Sequence, residues 1–199
     1  MQEITLDSSH YFWQGQKVRL RLRRIEDAER IFASTLDSVS QQILQVGVEL
    51  PTSVDIVKAK LETDVGAKED DRIIRFAIET LDGDYVGGLF LHSRDEKNGK
   101  FSFGVIVDCP YRRHGYAEDA VRILLRYGFW ERRYQKCDSS CAHTNDASIR
   151  LHRKLGFLEE GCRRRLWFYN GEYYDEILFG LTREEFDLHE KEGKWGPHR

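Results

Sequence analysis

From Lys17 to Arg23 the chain reads K-V-R-L-R-L-R, an alternation that places Val18, Leu20 and Leu22 on one face of a strand and turns the arginines to solvent. The period then changes. Ala28, Ile31, Phe32 and Leu36 fall at helical spacing over Ala28 to Ser38, behind the acidic pair Glu26-Asp27, which suits a helix N-terminus. A second helix is expected from Thr52, a candidate cap after Pro51, through Ile56, Val57 and Leu61, while Val39 to Leu50 is ambiguous, a helix being one reading of it. Beyond a polar break at Gly66 to Asp71, Ile73 to Glu79 and Tyr85 to His92 read as a hairpin around Asp82-Gly83. After another turn at Asn98-Gly99, the almost wholly apolar Phe101 to Val107 reads as a central strand. Tyr116 to Tyr134 is helical, with Ala120, Ile123, Leu124 and Tyr127 on one stripe and arginines opposite. Cys137 to Cys141 is short and strand-like, and Asp146 to Leu155 is a helix stopped by Gly156. Leu166 to Tyr169 and Tyr173 to Leu181 flank Asn170-Gly171, the strongest short hairpin signal in the chain. The order of elements predicts one α/β domain (mixed α+β), residues 17–186, with a splayed, mostly antiparallel sheet of six to seven strands and about four helices. Residues 1–16 form a polar lead-in. A short helix is expected from Arg183, and residues 187–199, beyond the domain, form a C-terminal tail expected to end polar and frayed.

Composition narrows the functional classes. Across 199 residues, 40% hydrophobic, 31 basic side chains meet 34 acidic ones, so a surface devoted to nucleic acid is not expected and any phosphate site must be local. Cys109, Cys137, Cys141 and Cys162 include no C-x-x-C pair and no histidine at zinc-finger spacing, so no metal site is expected. The start MQEITLDSSHYFW has neither a basic nor an apolar run, and nowhere do about 18 apolar residues follow one another. A cytoplasmic setting without membrane contact fits.

The chemistry is concentrated in two segments. Val105 to Ala120 is an apolar strand, a sharp turn at Pro110, and then Arg112-Arg113-His114-Gly115-Tyr116-Ala117 opening a helix. Amides of a first helical turn lack internal acceptors and carry partial positive charge, which makes such a terminus a ready anion site. Gly115 either lets a phosphate approach the backbone or merely shapes the loop. The second segment is Asn145 to Phe157, ending in Lys154-Leu155-Gly156-Phe157.

In this order the two motifs resemble the GNAT acyl-CoA N-acyltransferase superfamily, and within it the branch of ribosomal-protein alanine/serine N-acetyltransferases and spermidine acetyltransferases. V-R-L-R-L-R-R-I-E-D-A resembles that family's first strand and helix, and F-Y-N-G-E-Y-Y-D-E-I-L-F its last hairpin. The resemblance implies acetyl-CoA as donor and a primary amine as acceptor, on a peptide or protein N-terminus or on a small polyamine or amino-sugar. It implies that the backbone of Val105, Ile106 and Val107 pairs with the pantetheine arm, that the amides of Arg113 to Ala117 hold the pyrophosphate beside Arg112, and that Asn145 bonds the pantetheine region. Where many relatives carry a tyrosine that protonates the CoA thiolate, this chain has His152. That imidazole is either the acid or a packing residue, with water protonating the thiol. The position that aligns with a family glutamate is Ser102, leaving Glu79, and beyond it Glu172 or Asp175, as substitute bases or as solvated strand residues. The missing tyrosine and glutamate also admit a non-catalytic acyl-CoA sensor. Similar proteins often pair through a sheet edge or the last hairpin, which leaves a homodimer open.

Overall fold

Val18 and Leu20 of strand β1 (Val18–Leu22) are buried, as the alternation requires, whereas Leu22 at the strand's end is exposed. The computed structural model describes residues 10–44, 48, 50–64 and 72–192, so the polar break at 66–71 and Trp195 lie outside the described residues. The further strands are β2 (Ile73–Thr80), β3 (Tyr85–Asp95), β4 (Lys100–Val107), β5 (Lys136–Ala142), β6 (Leu158–Tyr169) and β7 (Glu172–Thr182). They form one seven-stranded sheet in the order β1-β2-β3-β4-β5-β7-β6. Every neighbouring pair is antiparallel except β4 and β5.

Among the described residues six α-helices accompany the sheet: α1 (Ala28–Thr35), α2 (Ser38–Ile43), α3 (Val54–Asp64), α4 (Tyr116–Arg126), α5 (Asp146–Lys154) and α6 (Arg183–Lys191). Beyond the four of the domain, α6 is the short helix expected from Arg183, and α2 lies largely in the Val39–Leu50 segment, for which a helix is one of the readings. Each is fixed by its cap: Asp37 accepts the Ser40 amide, and Thr182 and Glu185 form a reciprocal capping box. At α3 the side chain that accepts an amide of the first turn is Ser53, bonded by Ile56, rather than Thr52. The helix expected through Tyr134 leaves α-geometry after Arg126 for a wider turn over Tyr127–Glu131, where Gly128 lets the Phe101 ring pack directly on the backbone.

The main core lies between the sheet and the helices α4, α5 and α6, centred on Phe101, Phe129, Phe179, Leu124 and Phe186. Trp13, from the described end of the lead-in, packs on Phe76 and Tyr127. Two groups of arginines expected in solvent are partly withdrawn from it. Arg21 is only 12% exposed at its side chain and bridges Asp27 and Glu79. Arg122 on α4 is buried against Glu190 of α6 at 2.8 Å. The cause in both cases is a neighbouring buried carboxylate, which burial would penalise without a cationic partner. β6 begins eight residues earlier than Leu166, because its polar run L-E-E-G-C-R-R-R still pairs with β7 through two register shifts.

Candidate active site

Pairing between β4 and β5 runs only from Lys100↔Lys136 to Ser102↔Asp138. Beyond Ser102 the two strands diverge, while β4 continues to pair with β3 through Leu89↔Val105, Gly88↔Ile106 and Gly87↔Val107. The β5-facing edge of Val105 to Val107 is thereby directed into a cavity of about 770 Å³. Its other walls are the 111–118 turn and first turn of α4, the Thr144–Lys154 stretch of α5, and Ser40, Ile43 and Leu44 at α2. This size suits an extended small-molecule ligand.

At the turn, Gly115 has φ 82° and forms the N-cap of α4. The first intrahelical bond is Asp119 N to Gly115 O, so the amides of Tyr116, Ala117 and Glu118 have no acceptor within the helix. A side chain at Gly115 would also meet Lys17, whose Nζ would lie 2.8 Å from the new carbon and which donates to the His114 carbonyl at 2.7 Å. The acidic residues of this first turn are engaged within the protein: Asp119 accepts amides of Gln16, Lys17 and Val18, and Glu118 is 2.6 Å from Lys154 Nζ. Arg112 lines the cavity but commits its guanidinium elsewhere. It donates to the Val107 carbonyl (3.0 Å) and the Ser40 hydroxyl (2.8 Å) and faces Asp37 at 3.3 Å. His114 stacks on Tyr116, and its Nδ1 lies 2.8 Å from the Arg112 carbonyl.

Asn145 is buried at the cavity wall, where its side-chain oxygen caps α5 through the Ser148 amide at 3.0 Å and its amide nitrogen reaches the Ile43 carbonyl at 3.5 Å. It thus ties α5 to α2. His152 is placed differently: it is 3% exposed and absent from the cavity wall. Its ring stacks on Phe179 at 4.5 Å and meets the Phe157 ring edge-on. Nδ1 donates to the Ser148 carbonyl at 2.8 Å, which leaves Nε2 as acceptor for the Ser139 hydroxyl, also at 2.8 Å. Both nitrogens are thus occupied in the neutral form, and burial pushes the pKa below its ordinary value.

Glu79 is also remote from the cavity, held by Arg19 at 2.8 Å and by Arg21. Burial pushes its carboxyl up, but the hydrogen bonds and charge of Arg21 and Arg19 outweigh this and keep it below the ordinary glutamate range. Asp175 accepts the Arg165 amide at 2.8 Å, and Glu172 is exposed at the hairpin. Tyr169 reaches the cavity rim through a 2.8 Å hydrogen bond to Thr144. Sequence reasoning missed Ser148, Arg150 and Lys154, although Ala147, Arg150, Leu151 and Lys154 share one helical face. It also missed Glu176, a buried carboxylate bonded by the Ser140 hydroxyl at 2.7 Å and paired with Arg163 at 3.2 Å. Cys137 and Cys141 are buried, with thiol pKa values raised by burial. Among the described residues no His/Cys/Asp/Glu group could hold a metal, and no helix is long and apolar enough to cross a membrane.

Comparison with known proteins draws these features together. Residues 18–158 match the model of the acetyltransferase (GNAT) domain. The chain is 37% identical over 179 residues to the SPbeta prophage-derived uncharacterized N-acetyltransferase YokL of Bacillus subtilis (strain 168), covering 89% of this chain and 96% of that protein. It is 24% identical to the spermidine N(1)-acetyltransferase of Escherichia coli (strain K12), over 84% of this chain and 88% of that one. Its fold matches spermidine N-acetyltransferase from Vibrio cholerae, solved in complex with CoA and spermine, with a TM-score of 0.74 at 20% identity, covering 85% of this chain and 97% of that one. A sheet splayed beside a glycine-capped helix and the match of the domain model over 18–158 lead to one conclusion: the chain belongs to the GNAT family and is an N-acetyltransferase.

Proposed function

We propose that the protein moves the acetyl group of acetyl-CoA to a primary amine by direct attack, with CoA lying in the cavity between β4, α4 and α5. The observation that carries this reading is the divergence of β4 from β5 after Ser102, beside a helix N-terminus with three free amides. An amide-bearing pantetheine arm can add to the Val105–Val107 edge as a strand would, while the amides at Tyr116 to Glu118 take the pyrophosphate. Arg113, exposed beside that turn, adds a cation for the same group.

In the reaction a neutral amine attacks the thioester carbonyl. A backbone N–H on the β4 edge donates to the oxygen as negative charge develops, the C–S bond breaks, and the amine's proton leaves to water. Because His152 is neutral, buried and doubly hydrogen-bonded, it is assigned here to packing and to the orientation of Ser148. The Ser148 hydroxyl, on the cavity wall, relays a proton from solvent to the departing thiolate. Arg112 and Asn145 act by their position: both hold α2 against the cavity, so the wall formed by Ser40, Ile43 and Leu44 depends on them. Glu79 is assigned to the β1–β2 ion cluster rather than to base catalysis. Acceptors to be tested are N-terminal peptides, polyamines such as spermidine, and amino-sugars.

Two measurements test the reading. CoA at a hundredfold its Kd is expected to stabilise the fold by about 2.7 kcal/mol. No shift in melting temperature at millimolar CoA would overturn the donor site. Thiol release from acetyl-CoA is expected with at least one member of the amine panel; none with any amine would leave a CoA binder and remove the transfer step.

A further inference from the structure

Four long cations line the cavity: Arg112, Arg113, Arg150 and Lys154. Two of them have work within the protein. Arg112 holds the Val107 carbonyl, Ser40 and Asp37, and Lys154 lies 2.6 Å from Glu118. The second contact is needed where it stands, because an uncompensated Glu118 carboxylate would repel a phosphate bound on the same helical turn. Arg113 and Arg150 are both exposed and make no hydrogen bond or ion pair with any described residue. A guanidinium left unpaired on the wall of a cavity suited to a polyanion is poised for a ligand acceptor.

The two unpaired arginines stand on different elements. Arg113 belongs to the turn whose amides face the pyrophosphate. Arg150 belongs to α5, on the face that lines the cavity with Ala147, Leu151 and Lys154. CoA carries a third phosphate, a monoester on the 3′ position of its ribose, with a charge near −2 at neutral pH. The amides of α4 are occupied by the first two. Given the donor reading above, on which this depends, we infer that Arg150 forms the subsite for this phosphomonoester, so that the enzyme distinguishes CoA from 3′-dephospho-CoA. A forked guanidinium offers two parallel N–H donors to such a group, which Lys154 could not match even if it were released from Glu118.

The test is a set of calorimetric titrations of CoA and 3′-dephospho-CoA into the wild type, Arg150→Ala, Arg150→Lys and Arg113→Ala. The wild type is expected to prefer CoA by roughly tenfold or more, the range of a hydrogen-bonded charge. Arg150→Ala is expected to lose that preference while its affinity for the dephospho form stays unchanged. Arg150→Lys should keep only part of it, and Arg113→Ala should weaken both ligands alike. Equal wild-type affinity for the two ligands overturns the inference while leaving the donor site intact. A preference that survives in Arg150→Ala, or disappears only in Arg113→Ala, overturns the assignment to Arg150. Binding of neither ligand by the wild type overturns the donor reading and this inference with it.

Discussion

At His152, burial and hydrogen bonding act on one ring. The imidazole is enclosed by Phe103, Phe157 and Phe179, so protonation, which would only reverse the direction of the Ser139 bond, would bury a charge among aromatic rings. The native pKa therefore lies below the ordinary 6.5. The unfolded chain binds this proton at a pH where the native chain does not. The stability tied to His152 is thus complete above about pH 6.5 and is lost as the pH falls from there towards the native pKa. Urea unfolding between pH 8 and pH 5 should show this slope, and His152→Gln should flatten it. In the same variant kcat is expected to stay within about tenfold, since loss of a general acid would cost roughly a hundredfold or more. A kcat loss of that larger size in folded His152→Gln would make His152 the acid. Gly115 offers the converse case, in which backbone conformation and ligand space coincide. Gly115→Asp puts a side chain at φ 82°, against Lys17, and a negative charge beside the proposed phosphate site. It is expected to abolish the thermal shift produced by CoA, and a retained shift would move the pyrophosphate away from this turn.

Among the elements, β1, β2 and the 3-10 turn Ile25–Asp27 that follows β1 are joined by an ion cluster. Arg19 and Arg21 stand beside Glu79 through the β1–β2 register, and Arg21 reaches on to Asp27 in the turn. Glu79→Gln leaves two arginines facing a neutral partner and is expected to cost about 3 kcal/mol of unfolding free energy with kcat nearly unchanged. A selective loss of kcat at full stability would return Glu79 to the chemistry. The helix α2 depends on a different pair of ties. Arg112 holds it through Ser40 and Asp37, and Asn145 through the Ile43 carbonyl. Arg112→Lys cannot reach three acceptors at once, so its CoA affinity is expected to fall by roughly tenfold although the charge is kept. Unchanged CoA affinity would show that α2 closes the cavity without Arg112.

Across the whole molecule, the proposed site lies at one irregularity of the sheet. The antiparallel pairs on both flanks extend over five or more residues, some through register shifts, while the one parallel pair, β4 with β5, lasts three residues. Ligand binding should therefore be felt locally. Amide hydrogen exchange with CoA is expected to slow at Val105–Val107 and in the first turns of α4 and α5, and to leave β1 to β3 unchanged. Uniform protection across the sheet would contradict binding at the splay.

Much of this was legible in the chain itself. Alternation over Lys17–Arg23, the apolar run Phe101–Val107, the stripe of α4 and the Asn170-Gly171 turn each specify local structure through side-chain period and backbone conformation, which act over a few residues. The turn Arg112–Ala117 was legible for the same reason, because a positive-φ glycine before a helix is a local requirement. What tertiary structure decided is what depends on residues far apart in sequence. It withdrew Arg21 and Arg122 from solvent by setting buried carboxylates against them, extended β6 by pairing a polar run with β7, and gave the Arg112 side chain to α2, 72 positions away at Ser40. It also decided that His152 lies in an aromatic core rather than on the cavity wall, since its helix turns Arg150 and Leu151 to the cavity and His152 to Phe179. A helical period fixes which residues share a face. Only packing fixes what that face meets.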